Sequence, residues 1–167
     1  MKISLDFAGC IIRSTNQILI ANFAATFFMV GLIWLIQIVH YPLFDLVGLE
    51  SYPEYQQSHQ TLITPIVGPV MLIELVTAFL LVIQRPGSVP AWIPYSAFGL
   101  LIIIWASTAF IQVPCHESLT RAFDPEVHSR LVFSNWIRTA GWSLRGILMT
   151  CAILAAMNAK PEPDPPQ

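Results

Sequence analysis

The chain carries four histidines in its 167 residues, and the hydropathy of the sequence brings all four to one side of a membrane. Apolar stretches at 18–39, 62–83, 92–113 and 136–157 each approach the ~20 residues that cross a hydrocarbon core of about 30 Å. His40 ends the region of the first stretch, His59 precedes the second, His116 follows the third and His128 precedes the fourth. A four-pass chain alternates sides, so these imidazoles converge. Imidazoles contributed by several helices suit copper, iron, zinc or a b-type haem, which makes His40, His59, His116 and His128 the candidate metal ligands. Gln37 and Gln112 lie one helical turn deeper than His40 and His116 and are placed to orient those rings.

Charged residues inside the apolar stretches are the second chemical signal. His128, Asn135 and Trp142 are spaced by seven, as are Arg138 and Arg145, and the two series interleave on one helix face. Arg145 lies well inside the hydrocarbon, where an unpaired ion costs a few kcal/mol or more. The acid that can answer it there is Glu74, near the middle of the second stretch. Glu74, Asn135, Arg138 and Arg145 are therefore the candidate catalytic or proton-handling residues, with Arg138 able to join the pair through a water.

Composition sets the class. Hydrophobic residues make up 55% of the chain and charged residues 11%, with a mean hydropathy of +0.64, which is an integral membrane protein rather than a soluble domain. A net charge of −2 without a basic patch excludes nucleic acid as a partner. The three cysteines fall on different levels of the chain and form no C-x-x-C, so neither an internal disulfide nor covalent c-type haem is expected. H-E-x-x-H, P-loop and dinucleotide fingerprints are absent from the sequence.

These elements predict an all-α membrane protein, a four-helix transmembrane bundle with helices 2 and 4 extended on the external side. Ser51 ahead of Pro53, and Asp124 ahead of Pro125, are start signals that begin helices outside the bilayer. The second helix should run over 53–84, kinked or interrupted at Pro65 and Pro69, and the fourth over 125–157. Residues 1–16 read as a short N-terminal interfacial segment, 17–158 as the four-helix domain and 159–167 as a disordered Pro-rich tail. The Phe7-Ala8-Gly9-Cys10 run lacks the apolar stretch that a cleaved leader needs. Lys2, Arg13, Arg85 and Lys160 against Arg121, Arg130 and Arg138 favour cytoplasmic termini in a bacterial inner membrane.

The runs QIVHYPLF at 37–44, GPVMLIE at 68–74, VPCHESL at 113–119 and SNWIRTAGWSLR at 134–145 are similar to a family of small four-span bacterial membrane proteins without an assigned function. More distantly, the V-P-x-H-x-x-L run followed by N-W-x-R-T resembles the anthrone-oxygenase-like membrane proteins. That resemblance implies cofactor-poor oxygenation of a polycyclic phenol, with His116, Asn135 and Arg138 at matching motif positions.

Three classes of function follow. A metal- or haem-linked membrane oxidoreductase would use the histidine cluster at the external mouth of the bundle on a membrane-soluble small molecule. A small transporter or channel-like subunit would line a polar path with Glu74 and the arginines. A non-enzymatic assembly factor would work as part of a homo-oligomer or a larger membrane complex. In each case the lipid bilayer is the common partner.

Overall fold

The structure, a computed structural model, describes residues 2–158, with side chains from 15 to 158. Helix α1 (Lys2–Leu35) continues as a π-helical segment, Ile36–His40, and a 3₁₀ turn, Pro42–Leu46; α2 spans Tyr52–Ile83. Helix α3 (Trp92–Ser107) passes through a second π segment, Thr108–Gln112, into α4 (Val113–Leu119), and α5 spans Pro125–Met157. Four rods, Thr15–Leu46, Tyr52–Ile83, Trp92–Leu119 and Pro125–Met157, are long and apolar enough to cross a membrane. The protein is a multi-pass integral membrane protein built as an all-α four-helix bundle.

Local chemistry explains most boundaries. Asp124 has extended backbone angles, and its side chain accepts from the amides of Glu126 and Val127 at 2.8 and 3.2 Å, so α5 starts where the Asp-Pro signal places it. Ser51 differs from expectation. It is already helical (φ −92°, ψ −6°) and makes no side-chain cap, because a capping hydroxyl needs the extended geometry that Asp124 has. The amide of Ser51 instead closes a turn onto the Gly48 carbonyl at 3.0 Å. Helix α2 runs without interruption through Pro65 and Pro69. The backbone of α1 is helical from Lys2 through the span, while the proposed tail at 159–167 lies outside the described residues.

The rods form a square in which α1 packs on α2 and α5, and α3 packs on α5 and α2. Buried apolar residues stack in three levels along it. One end holds Leu19, Leu81, Ile93 and Met149; the middle holds Met29, Ile33, Ile104 and Trp142; the other end holds Ile36, Tyr41, Phe44, Tyr52 and Leu131. Large apolar side chains such as Phe28, Leu72, Ile103 and Ile147 cover the outside, as lipid contact requires. The polar residues Asn22, Thr26, Glu74, Asn135 and Arg145 are wholly enclosed. The seam between α2 and the α3–α4 rod is the loosest of the four.

Candidate functional site

Glu74 and Arg145 meet in mid-bundle. Arg145 Nε donates to Glu74 Oε1 at 3.0 Å, with neither side chain exposed. Glu74 also accepts from Thr26 Oγ1 at 2.8 Å and from Trp142 Nε1 at 3.0 Å. The remaining guanidinium nitrogens donate to the Ala97 carbonyl, to Thr26 Oγ1 at 3.3 Å and to Asn22 Oδ1 at 3.5 Å. Asn22 in turn donates to the Glu74 carbonyl at 3.0 Å. One network therefore ties all four rods together, and its charges and hydrogen-bonding groups are mutually satisfied. It is a structural pin, and neither Glu74 nor Arg145 reaches the cavity described below.

About four helical turns from Glu74 along α2, toward the opposite end of the bundle, the histidines gather. His40 Nε2 and His59 Nδ1 are 2.9 Å apart, so one of the two carries the shared proton. His116 lies against His59, with ring centroids 5.4 Å apart. Its Nε2 meets the Tyr41 hydroxyl at 2.9 Å, and its Nδ1 meets the Gln56 amide at 2.6 Å. The Gln56 oxygen is otherwise buried without a partner. A contact of 2.6 Å is short for two nitrogens. As placed, the Gln56 NH2 donates to Nδ1 and the Nε2–H of His116 donates to the Tyr41 oxygen. With the amide turned about, Oε1 accepts from Nδ1–H and Nε2 accepts from the Tyr41 hydroxyl, the amide NH2 then lying buried without an acceptor. Gln60 holds the same segment by donating to the His116 carbonyl at 3.1 Å.

His128 stands apart from this cluster. It is buried, and its Nε2 lies 2.8 Å from the Tyr41 carbonyl; a carbonyl only accepts, so that nitrogen carries a proton. Phe44, fully buried, separates His128 from the other three. Its ring centroid lies 5.1 Å from His40, 5.2 Å from His59, 6.4 Å from His116 and 6.2 Å from His128. The four histidines do converge as their spacing predicts, but they converge around an aromatic ring. Among the described residues no group of three His, Cys, Asp or Glu side chains is arranged to hold a metal ion.

Gln37 and Gln112 do not orient the imidazoles. Gln37 donates to the Val132 carbonyl at 3.2 Å and accepts from Asn135 at 3.0 Å, while Gln112 accepts from Ser107 at 2.9 Å and donates to Ser134 at 3.1 Å. Both turn toward α5, whereas His40 and His116 turn toward α2. For Gln37 and His40 the reason is the π segment Ile36–His40 that holds both: a π turn takes more residues than the 3.6 of an α-helix, so side chains three apart no longer stack. Gln112 and His116 are joined by α-helical residues, and Gln112 is drawn away by its bonds to Ser107 and Ser134. Gln56 of α2 replaces them as the amide partner of the His116 ring, and no spacing along α4 points to it. Asn135 lies deep in α5, bonded to Gln37.

A cavity of about 210 Å³ opens in the loose seam between α2 and the α3–α4 rod. Ile63, Val67 and Gly68 of α2 face Thr108, Gln112 and Val113 across it, and Tyr41, His59, His116 and Arg138 form its polar end. Arg138 is only 6% exposed. Its guanidinium lies 5.3 Å from the centre of the Trp142 ring and interacts with the Tyr41 hydroxyl, but its Nε has no hydrogen-bond partner. Trp142 thus stands between Arg138 and Glu74, in the place where a bridging water was expected. No known protein family, functionally curated protein or solved structure matches the chain.

Proposed function

We propose that the protein binds a membrane-soluble small molecule in the cavity between α2 and the α3–α4 rod and exchanges protons with it through Tyr41 and His116. The observation that carries this reading is the 2.9 Å contact between the Tyr41 hydroxyl and His116 Nε2 on the cavity wall. Gln56 holds the far side of the ring, and a positioned hydroxyl–imidazole pair is a proton donor and acceptor in one unit, whichever of the two carries the shared proton. His59, hydrogen-bonded to the half-exposed His40, offers a second imidazole on the same wall and a link outward.

The metal-linked reading of the same cluster is favoured by one feature, the succession of His40, His59 and His116 rings at 4.7 and 5.4 Å. Binding there would require His40 and His59 to give up the bond between them. Metal analysis of the purified protein separates the two readings: stoichiometric copper, iron or zinc lost on His59→Ala supports the second.

The cavity reading is tested with benzyl alcohol as a neutral ring-sized probe and histidine-selective isotope labelling. The resonances of His59 and His116 should move as the probe is added, with that of His128 unaffected. Gly68 lines the cavity, and a Cβ placed on it meets nothing within 4 Å. Gly68→Leu should therefore fill the space and abolish the response. Equal movement of all four histidines, or none, overturns the assignment.

A further inference from the structure

The two arginines of α5 are treated differently by the rest of the chain. Arg145 is given a carboxylate, a carbonyl and two side-chain oxygens. Arg138, nine-tenths enclosed, has no carboxylate partner among the described residues and a buried Nε without an acceptor. A guanidinium is charged at any accessible pH, and enclosing one without a counter-charge is costly. The group is also held in place, stacked on Trp142, which fixes the plane of its donors before any partner arrives. It lies on the wall of the cavity.

We infer that Arg138 is the recognition group for a small organic carboxylate, and that the cavity takes an amphipathic monocarboxylic acid with a ring-sized apolar body. This rests on the cavity being a ligand site. Size supports the class: the volume of about 210 Å³ exceeds the roughly 150 Å³ that admits benzene in an engineered apolar cavity, leaving room for a carboxylate beside a ring. Chemistry supports it too. The guanidinium fork matches a planar carboxylate with two parallel donors, and Ile63, Val67 and Val113 form apolar walls for the body of the ligand. The seam in which the cavity sits lies among apolar, lipid-facing side chains of α2 such as Leu62 and Ile66, so the acid arrives through the bilayer with its apolar end embedded there.

The test compares benzoate, benzyl alcohol and phenyl phosphate on the purified full-length protein in detergent, read by calorimetry and by the His116 resonance. Benzoate should bind at least about tenfold more tightly than benzyl alcohol, the scale of a charge-assisted hydrogen bond. Arg138→Met should remove that preference while leaving benzyl alcohol binding in place. Arg138→Lys, which keeps the charge without the fork, should retain part of the preference and serves if the methionine variant does not fold. Benzyl alcohol binding as tightly as benzoate would overturn the carboxylate inference and leave the cavity reading standing. Tighter binding of phenyl phosphate would replace the carboxylate by a phosphate ester. Binding of none of the three, with Gly68→Leu indistinguishable from the parent, would overturn both.

Discussion

Trp142 joins the two charged levels of α5, donating its indole N–H to Glu74 Oε2 at 3.0 Å while its ring face receives the Arg138 guanidinium at 5.3 Å. The enclosed ion pair below it and the cavity-lining cation above it are thus held by one side chain. Trp142→Phe keeps an aromatic face and removes the donor together with the pyrrole ring that carries it. It should weaken the mid-bundle network by about 1–3 kcal/mol, the cost of stripping a buried acceptor, and leave the benzoate preference assigned to Arg138 within about twofold of the parent. Thermal unfolding in detergent and calorimetry read the two effects separately. A variant that loses the preference without losing stability would mean that the larger indole face is what holds Arg138 and that the N–H contributes nothing to the network.

The ion pair itself should behave as a unit. Glu74→Gln leaves Arg145 enclosed without its counter-charge, and Arg145→Met does the same to Glu74; each should cost about 3–5 kcal/mol. The double variant should recover much of that loss, because two neutral side chains demand no partner. Additive losses in this cycle would show that the 3.0 Å contact carries no coupling.

Helix packing offers a separate check at Gly141. A Cβ built there would meet Ile104 Cγ1 at 2.8 Å, and Ile104 is itself fully buried, so α3 and α5 approach each other because this residue is glycine. Gly141→Ala should destabilise the bundle by about 1–3 kcal/mol through overpacking, despite the better helix propensity of alanine. Adding Ile104→Ala, which removes Cγ1 and Cδ1 together, should make the double variant less destabilised than the sum of the two single losses. A single variant as stable as the parent would mean that the two helices separate freely at this point.

Phe44 is the hub of the histidine end, and its removal should be felt by all four imidazoles. Phe44→Ala should cost about 3–5 kcal/mol, and the resonances of His40, His59, His116 and His128 should move together as the ring that separates them disappears. Phe44→Leu should cost less and preserve the His40–His59 bond. Movement of one histidine alone would show that the ring contacts do not organise the cluster.

What could be read from the chain and what could not divide along a physical line. The spans, the bounds of α5 and the enclosed face carrying His128, Asn135, Arg138, Trp142 and Arg145 all follow from regular 3.6-residue periodicity. So does the Glu74–Arg145 pair, because two ions in hydrocarbon leave few other solutions. Where the helix departs from that period, the reading fails. The π segment at Ile36–His40 turns Gln37 away from His40, and bonds to Ser107 and Ser134 draw Gln112 away from His116. Nothing in the sequence marks the π segment, since Gln37 is followed by ordinary apolar residues. Phe44 carries no sequence signal that sets it apart from the other aromatic residues, and Gln56 and Gln60 are partners across the bundle, set by tertiary packing rather than by spacing. The cavity is equally silent in sequence, being a gap between two helices and not a property of either.

The side of the membrane on which the histidines lie is open to direct measurement. Gly48 and Glu126 are exposed at the histidine end and Ser88 is exposed in the α2–α3 turn, so the fold places the first two opposite the third. The stretch from 41 to 61 holds no Lys or Arg, whereas Arg85 lies beside the α2–α3 turn, and positive charge accumulates on the cytoplasmic side. In a background with Cys10, Cys115 and Cys151 replaced by serine, single cysteines at Gly48 and Glu126 should react with an impermeant thiol reagent added outside intact cells. One at Ser88 should react only after the membrane is opened. The reverse pattern would put the cavity and its histidines at the cytoplasmic face. Labelling of Gly48 and Ser88 from the same side would break the four-pass topology itself, since α2 would then fail to cross.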